Sequence, residues 1–101
     1  MPKPAVVASS KYKIFETNRF AKDLDDLALH RARHFEEKLR TYVYPQLSRE
    51  PHWGPNIKRL KGWDPPTWRY RIGEWRFFYI ISEDTKTVSM IAAAHRKEAY
   101  R

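Results

Sequence analysis

The sequence predicts an α+β fold in which two helices from the N-terminal half pack on one face of a small, twisted, mainly antiparallel sheet, in the order β-α-α-β-β-β. Three observations predict it. Apolar residues recur at helical spacing between Phe20 and Leu47, the period changes to two after Asn56, and Pro- and Gly-bearing stretches cut the second half into short segments. At 101 residues with 42% apolar and 15% aromatic content, the chain can bury one core and lacks the low hydrophobicity of a disordered sequence. Residues 11–101 therefore read as a single domain. Residues 1–10 (MPKPAVVASS) hold only Ala5 to Ala8 as an apolar stretch, too short for a signal-peptide core, and read as a flexible tail.

Lys11 to Glu16 (KYKIFE) alternates polar and apolar, a short strand signal. Thr17 and Asn18 are suited to cap a helix, with Asp23, Asp25 and Asp26 expected near its positive end. Phe20, Leu24 and Leu27 form its apolar stripe. A second stripe runs through Ala32, Phe35, Leu39, Tyr42 or Val43, and Leu47. The division between the helices is placed at Leu29 to Arg31 on length alone, and Pro45 is expected to kink or tighten the second helix near its end. Arg49 to Asn56 is a loop by its prolines and glycine. Asn56 to Lys61 reads as a strand or the beginning of one, and Gly62 to Thr67 as a turn. Trp68 to Ile72 (WRYRI) alternates cleanly, and Gly73-Glu74 makes a hairpin turn. Trp75 to Ile81 (WRFFYII) is apolar enough for a central strand covered on both faces. Ser82 to Lys86 is a turn and Thr87 to Ala94 the last strand.

Cysteine is absent, which excludes disulfide scaffolds, thiolate metal sites and cysteine nucleophiles. No apolar run approaches the roughly 18 residues of a membrane span. The net charge is +8, with ten Lys/Arg against five Asp/Glu in residues 51–101. A basic, aromatic-rich surface suits phosphate-rich partners, and exposed rings suit the splayed bases of single-stranded RNA.

Lys58, Arg59, Lys61, Arg69, Arg71 and Arg76 place six cations in nineteen residues against two acids. Arg69 and Arg71 share parity on one strand, and the hairpin brings Arg76 beside them. Like charges on adjacent strands repel, so a bound phosphate is the simplest reason for the cluster; a solvated edge is the plainer one. Arg76, set in an otherwise apolar strand, would form a rigid planar clamp, or else pair with Glu74 or Glu83. The ending His95-Arg96-Lys97-Glu98-Ala99-Tyr100-Arg101 gathers titratable groups after a strand. Phosphodiester cleavage without a metal needs a base for the 2′-hydroxyl, cations for the crowded phosphate and an acid for the leaving oxygen. Tyr100 between Arg96 and Arg101 is placed for phenolate stabilisation, although a frayed basic terminus fits the same composition. His30 and His34 stand four apart but lack further ligands. Trp53, Trp63, Trp68 and Trp75 are candidates for stacking on bases, with at least two of them expected in packing.

The blocks NIKRLKG, WRYRIGEWRFFY and HRKEAYR, within Asn56 to Arg101, resemble the RelE/ParE toxin superfamily of bacterial toxin–antitoxin pairs. The resemblance implies a RelE-like fold and a cytoplasmic toxin that cleaves messenger RNA in the ribosomal A site, with contacts to ribosomal RNA. It implies no metal and no small-molecule cofactor, no membrane, and inhibition by a cognate antitoxin. Carried over by motif, Arg76 stabilises the transition-state phosphate and Lys61 contacts phosphate, with Arg59 or Lys58 as a second contact. Arg96 assists near the leaving group, Tyr100 is the general base, and His95 stands where some relatives use an acid or base. Arg69, Arg71 and Arg101 complete the RNA-binding set. The chain departs from the pattern in its ten extra residues at the start and in carrying Tyr100 as its penultimate residue. Two other readings stand beside this one: a ParE-like poison of DNA gyrase without nuclease activity, and an inactive relative that binds RNA or protein.

Overall fold

In the computed structural model, which describes residues 11–28 and 33–95, five strands form one sheet in the order β1-β5-β4-β3-β2. They are β1 (Lys13–Glu16), β2 (Ile57–Arg59), β3 (Trp68–Ile72), β4 (Trp75–Ser82) and β5 (Thr87–His95). β1 runs parallel to β5 and every other pairing is antiparallel. The segment after Asn56 is thus a strand in its own right, one more than the expected order allowed. It is three residues long, which explains its weak signal. The strong strand signals agree with the sheet: β4 lies at the centre, and Arg76, Phe77, Phe78 and Tyr79 are all buried, covering both of its faces.

Helix α1 (Asn18–Ala28) starts where expected, because the Thr17 hydroxyl accepts the Phe20 N–H at 3.2 Å and itself donates to the Met90 carbonyl at 2.9 Å. The acidic residues do not serve the helix dipole: none lies in the first turn. Asp23 instead accepts the Ala93 N–H at 3.0 Å. β1 pairs with β5 only as far as Met90, and the Asp23 carboxylate covers the ladder donor left beyond that point.

The second helical stretch runs from α2 (Arg33–Lys38) through a π-helical turn (Leu39–Val43) into α3 (Tyr44–Arg49). Pro45 accounts for the turn. Proline has no N–H to give the fourth carbonyl back and its ring collides with it. The Tyr44 N–H reaches instead to the Leu39 carbonyl, five residues back, and opens the helix by one residue. The widened turn sets the phase of the helix: Leu39, Val43, Tyr44 and Leu47 face inward while Tyr42 is exposed. The expected division of the helices at Leu29 to Arg31 lies outside the described residues, as do the tail 1–10, His30, and the side chain of His34.

The core is built between these helices and one face of the sheet. Phe20, Leu39, Val43 and Leu47 meet Phe77, Tyr79, Val88 and Met90, all essentially without solvent exposure. Tyr79 also donates to the Pro51 carbonyl at 2.7 Å, tying the loop after α3 to the central strand. Burial raises the Tyr79 phenol well above its ordinary pKa, so it remains a donor. Among the described residues no helix is long and apolar enough to cross a membrane.

Candidate nucleic-acid interface

The sheet face turned away from the helices is assembled by strand parity. Trp68, Tyr70 and Ile72 of β3 point to the core, so Arg69 and Arg71 point away from it. Register then adds to them. Arg71 lies opposite Arg76 and Arg69 opposite Phe78 on β4, while Lys58 of β2 lies opposite Arg69. Lys58, Arg69, Arg71 and Arg76 therefore share one face across three adjacent strands.

Arg71 and Arg76 are directly facing cations, an arrangement that opposes folding. A shared acceptor offsets part of this: Arg71 Nε and Arg76 Nη1 each donate to the Gly73 carbonyl at 3.2 Å, and Arg76 Nη1 also lies 3.4 Å from the Trp75 carbonyl. Gly73 takes the positive φ (+55°) that a tight hairpin asks of its first central residue. Arg76 is 4% exposed, held on the central strand with Ala94 beside it on β5. A guanidinium fixed in this way is a rigid, planar donor.

Arg59 parts from this group. It lies opposite Trp68, on the helix side of the sheet, with its guanidinium 5.5 Å from the Trp68 ring centre. Of the neighbouring pair Lys58 and Arg59, only Lys58 joins the cationic face. Lys61 is exposed in the loop after β2, beside Gly62 and Trp63. His95 lies opposite Trp75, and their rings meet edge to face at 4.8 Å on the side of the sheet opposite Arg76. β5 is described as far as His95, next to the beginning of β4. Arg96, Tyr100 and Arg101 lie outside the described residues.

Glu83 is engaged away from the cationic face. It accepts from Tyr12 at 2.8 Å, from Lys86 at 3.0 Å and from His52 Nε2 at 2.8 Å, and these bonds, Lys86 first, pull its carboxyl down to about 2. His52 Nδ1 meets Glu50 at 2.7 Å on its other side. This cluster joins the loop after α3 to the β4–β5 turn. No sequence spacing announced it, because its members come from positions 12, 50, 52, 83 and 86.

The four tryptophans separate by packing. Trp68 stacks on Tyr79 at 6.4 Å toward the core, and Trp75 packs on His95. Trp53 is exposed beside His52. Trp63 lies flat on Phe78, centroids 5.8 Å apart and planes 13° from parallel, on the cationic face. Phe78 was legible in the sequence only as part of an apolar strand.

Comparison with known proteins agrees with this geometry. Residues 14–100 match the family model described as the ParE toxin of the type II toxin–antitoxin system, parDE. The chain is 31% identical over 91 residues to the RelE1 protein of Methanocaldococcus jannaschii, covering 90% of this chain and 97% of that one. It resembles a chain of the toxin–antitoxin complex RelBE2 of Mycobacterium tuberculosis with a TM-score of 0.65 at 26% identity, over 88% of this chain and 95% of that one. The YoeB/ParE toxin of Agrobacterium tumefaciens gives a TM-score of 0.64 at 26% identity, over 82% and 96%. Family model, relative and folds converge: the chain belongs to the RelE/ParE toxin superfamily of type II toxin–antitoxin systems.

Proposed function

We propose that this toxin is a ribosome-dependent endonuclease that cuts messenger RNA in the A site by 2′-hydroxyl attack, without a metal, and that a cognate antitoxin holds it inactive. The observation that carries the reading is the face formed by Lys58, Arg69, Arg71 and Arg76, with aromatic rings beside it. A gyrase poison has no need of a phosphate clamp on a rigid strand. RNA cleavage does, because charge builds on the phosphate as the 2′-oxygen attacks.

In this mechanism Arg76 holds the phosphate oxygens and Lys61 a neighbouring phosphate. The Tyr100 phenolate, stabilised by Arg96 and Arg101, takes the 2′-hydroxyl proton. The 2′-oxygen bonds to phosphorus, the bond to the 5′-oxygen breaks, and that oxygen takes a proton from water while Arg96 steadies its developing charge. The products are a 2′,3′-cyclic phosphate and a 5′-hydroxyl end. His95, packed on Trp75 across the sheet from Arg76, orders the end of β5 in this scheme rather than reaching the phosphate. An acidic antitoxin segment complements the net charge of +8. In this scheme the toxin acts on translating ribosomes in the cytoplasm, with residues 11–101 as one domain.

The test is cleavage of a messenger programmed into 70S ribosomes by wild type, Arg76→Ala and Tyr100→Phe, with a free-RNA control. A-site cutting by wild type, lost in both variants, is the expected result. Intact messenger in every lane, with inhibition of gyrase supercoiling, would overturn it in favour of the ParE-like reading as a gyrase poison.

A further inference from the structure

The β2–β3 loop crosses the open face of the sheet instead of standing away from it. The Leu60 N–H bonds the Thr67 carbonyl at 2.8 Å, closing the loop at its base. Thr67, 1% exposed, donates to the Pro65 carbonyl at 2.9 Å and pins the return arm. Gly62 takes a φ of +81°, a turn that an L side chain would resist, and the next residue, Trp63, comes down on Phe78.

Two features of the resulting stack have no packing reason. Phe78 is 7% exposed, as a ring under a lid should be, but Trp63 keeps 49% of its surface in solvent. A tryptophan recruited only to cover Phe78 would gain more by lying deeper. The stack also stands within the cationic face: Phe78 is the register partner of Arg69 and lies one position along the same face from Arg76. On its other side β5 offers only Ala92 and Ala94, which leave the floor low beside the rings.

We infer that the exposed face of Trp63 is a stacking platform for one nucleobase of single-stranded RNA, continuing the Phe78–Trp63 column while Arg69 and its neighbours hold the flanking phosphates. This deepens the nuclease reading and rests on it for the nature of the strand. Every base has a flat face to offer, so the platform positions the strand without selecting its sequence. Lys61, two residues before Trp63, is carried by the same loop, so a base on the ring places the adjoining backbone near its ammonium group.

The experiment is fluorescence anisotropy with two labelled probes, a short single-stranded oligoadenylate and an abasic ribose-phosphate strand of equal length. Wild type, Trp63→Ala and Trp63→Phe are compared, with folding checked by circular dichroism. Trp63→Ala should weaken oligoadenylate binding about 5- to 150-fold, the usual range for loss of one aromatic–base stack, and leave abasic binding unchanged. Trp63→Phe should retain most of the affinity. Equal binding of both probes by wild type, or an equal loss on both in Trp63→Ala, would overturn the platform. The ribosomal cleavage assay judges the nuclease separately. Cleavage by wild type with no base-dependent loss in Trp63→Ala removes the platform alone; a base-dependent loss with intact messenger keeps it and removes the nuclease.

Discussion

Lys58 and Arg59 are adjacent cations that the sheet sends to opposite faces, which makes them a matched test of where RNA binds. Lys58 stands with Arg69, Arg71 and Arg76, whereas Arg59 lies over Trp68 on the helix side. Binding of single-stranded RNA falls with salt at a logarithmic slope of about 0.7 for each phosphate neutralised. The four cations of the open face then contribute a slope of about −2.8, or roughly a 50-fold loss of affinity between about 50 and 200 mM salt. Lys58→Gln should lower the slope by about 0.7, reducing that loss to roughly 18-fold. Arg59→Gln should leave the slope unchanged. The assay is anisotropy of a labelled oligoadenylate titrated across that salt range. An equal change of slope in both variants, or a change in Arg59→Gln alone, would refute the assignment of the face.

Three further outcomes test how the scaffold holds that face. Tyr79→Phe removes the donor to the buried Pro51 carbonyl and keeps the ring stack, so stability should fall by about 1–3 kcal/mol, read as a lower urea midpoint at unchanged m. A loss well under that would mean that the carbonyl finds another donor. Gly73→Ala meets no atom within 4 Å of its new Cβ, so its cost is the positive φ alone, about 1–2 kcal/mol in thermal unfolding; no change would show that the turn relaxes freely. Glu83 is depressed to about 2 in the folded state by bonds from Lys86, Tyr12 and His52, and Glu50 is lowered by His52. Their contribution is complete above the ordinary carboxylate range and is lost as pH falls from about 4.5 toward 2. Glu83→Gln should therefore flatten the decline of the urea midpoint over that window, and an unchanged decline would show that the cluster adds no acid sensitivity.

Features that depend on neighbours along the chain were legible in the sequence. Period-two alternation located β3, an unbroken apolar run located β4 and the turn after it set off β5, each within a residue or so, since a pleat imposes period two only where one face is covered. Thr17 marked the start of α1 because a cap is a local hydrogen bond. Pro45 marked a distortion, although only the helix phase revealed that it is a π turn exposing Tyr42 and burying Val43. Arg69, Arg71 and Arg76 could be grouped in advance because one tight hairpin fixes their register.

Relations between distant segments were settled only by the folded chain. Whether Lys58 or Arg59 joins the cationic face turns on a single step of β2 register, and a one-residue slip would exchange them. Asp23 was expected to serve its own helix, yet it caps a β5 donor seventy positions away, because β1 is too short to cover that edge. Glu83, eligible in sequence for Arg76, is drawn to Tyr12, His52 and Lys86 once the chain closes. Trp63, one tryptophan among four, is singled out only when its loop folds onto Phe78. Local propensity is set by a few residues, while a binding face is set by which strands become neighbours, and that is decided by burying the core on the other side.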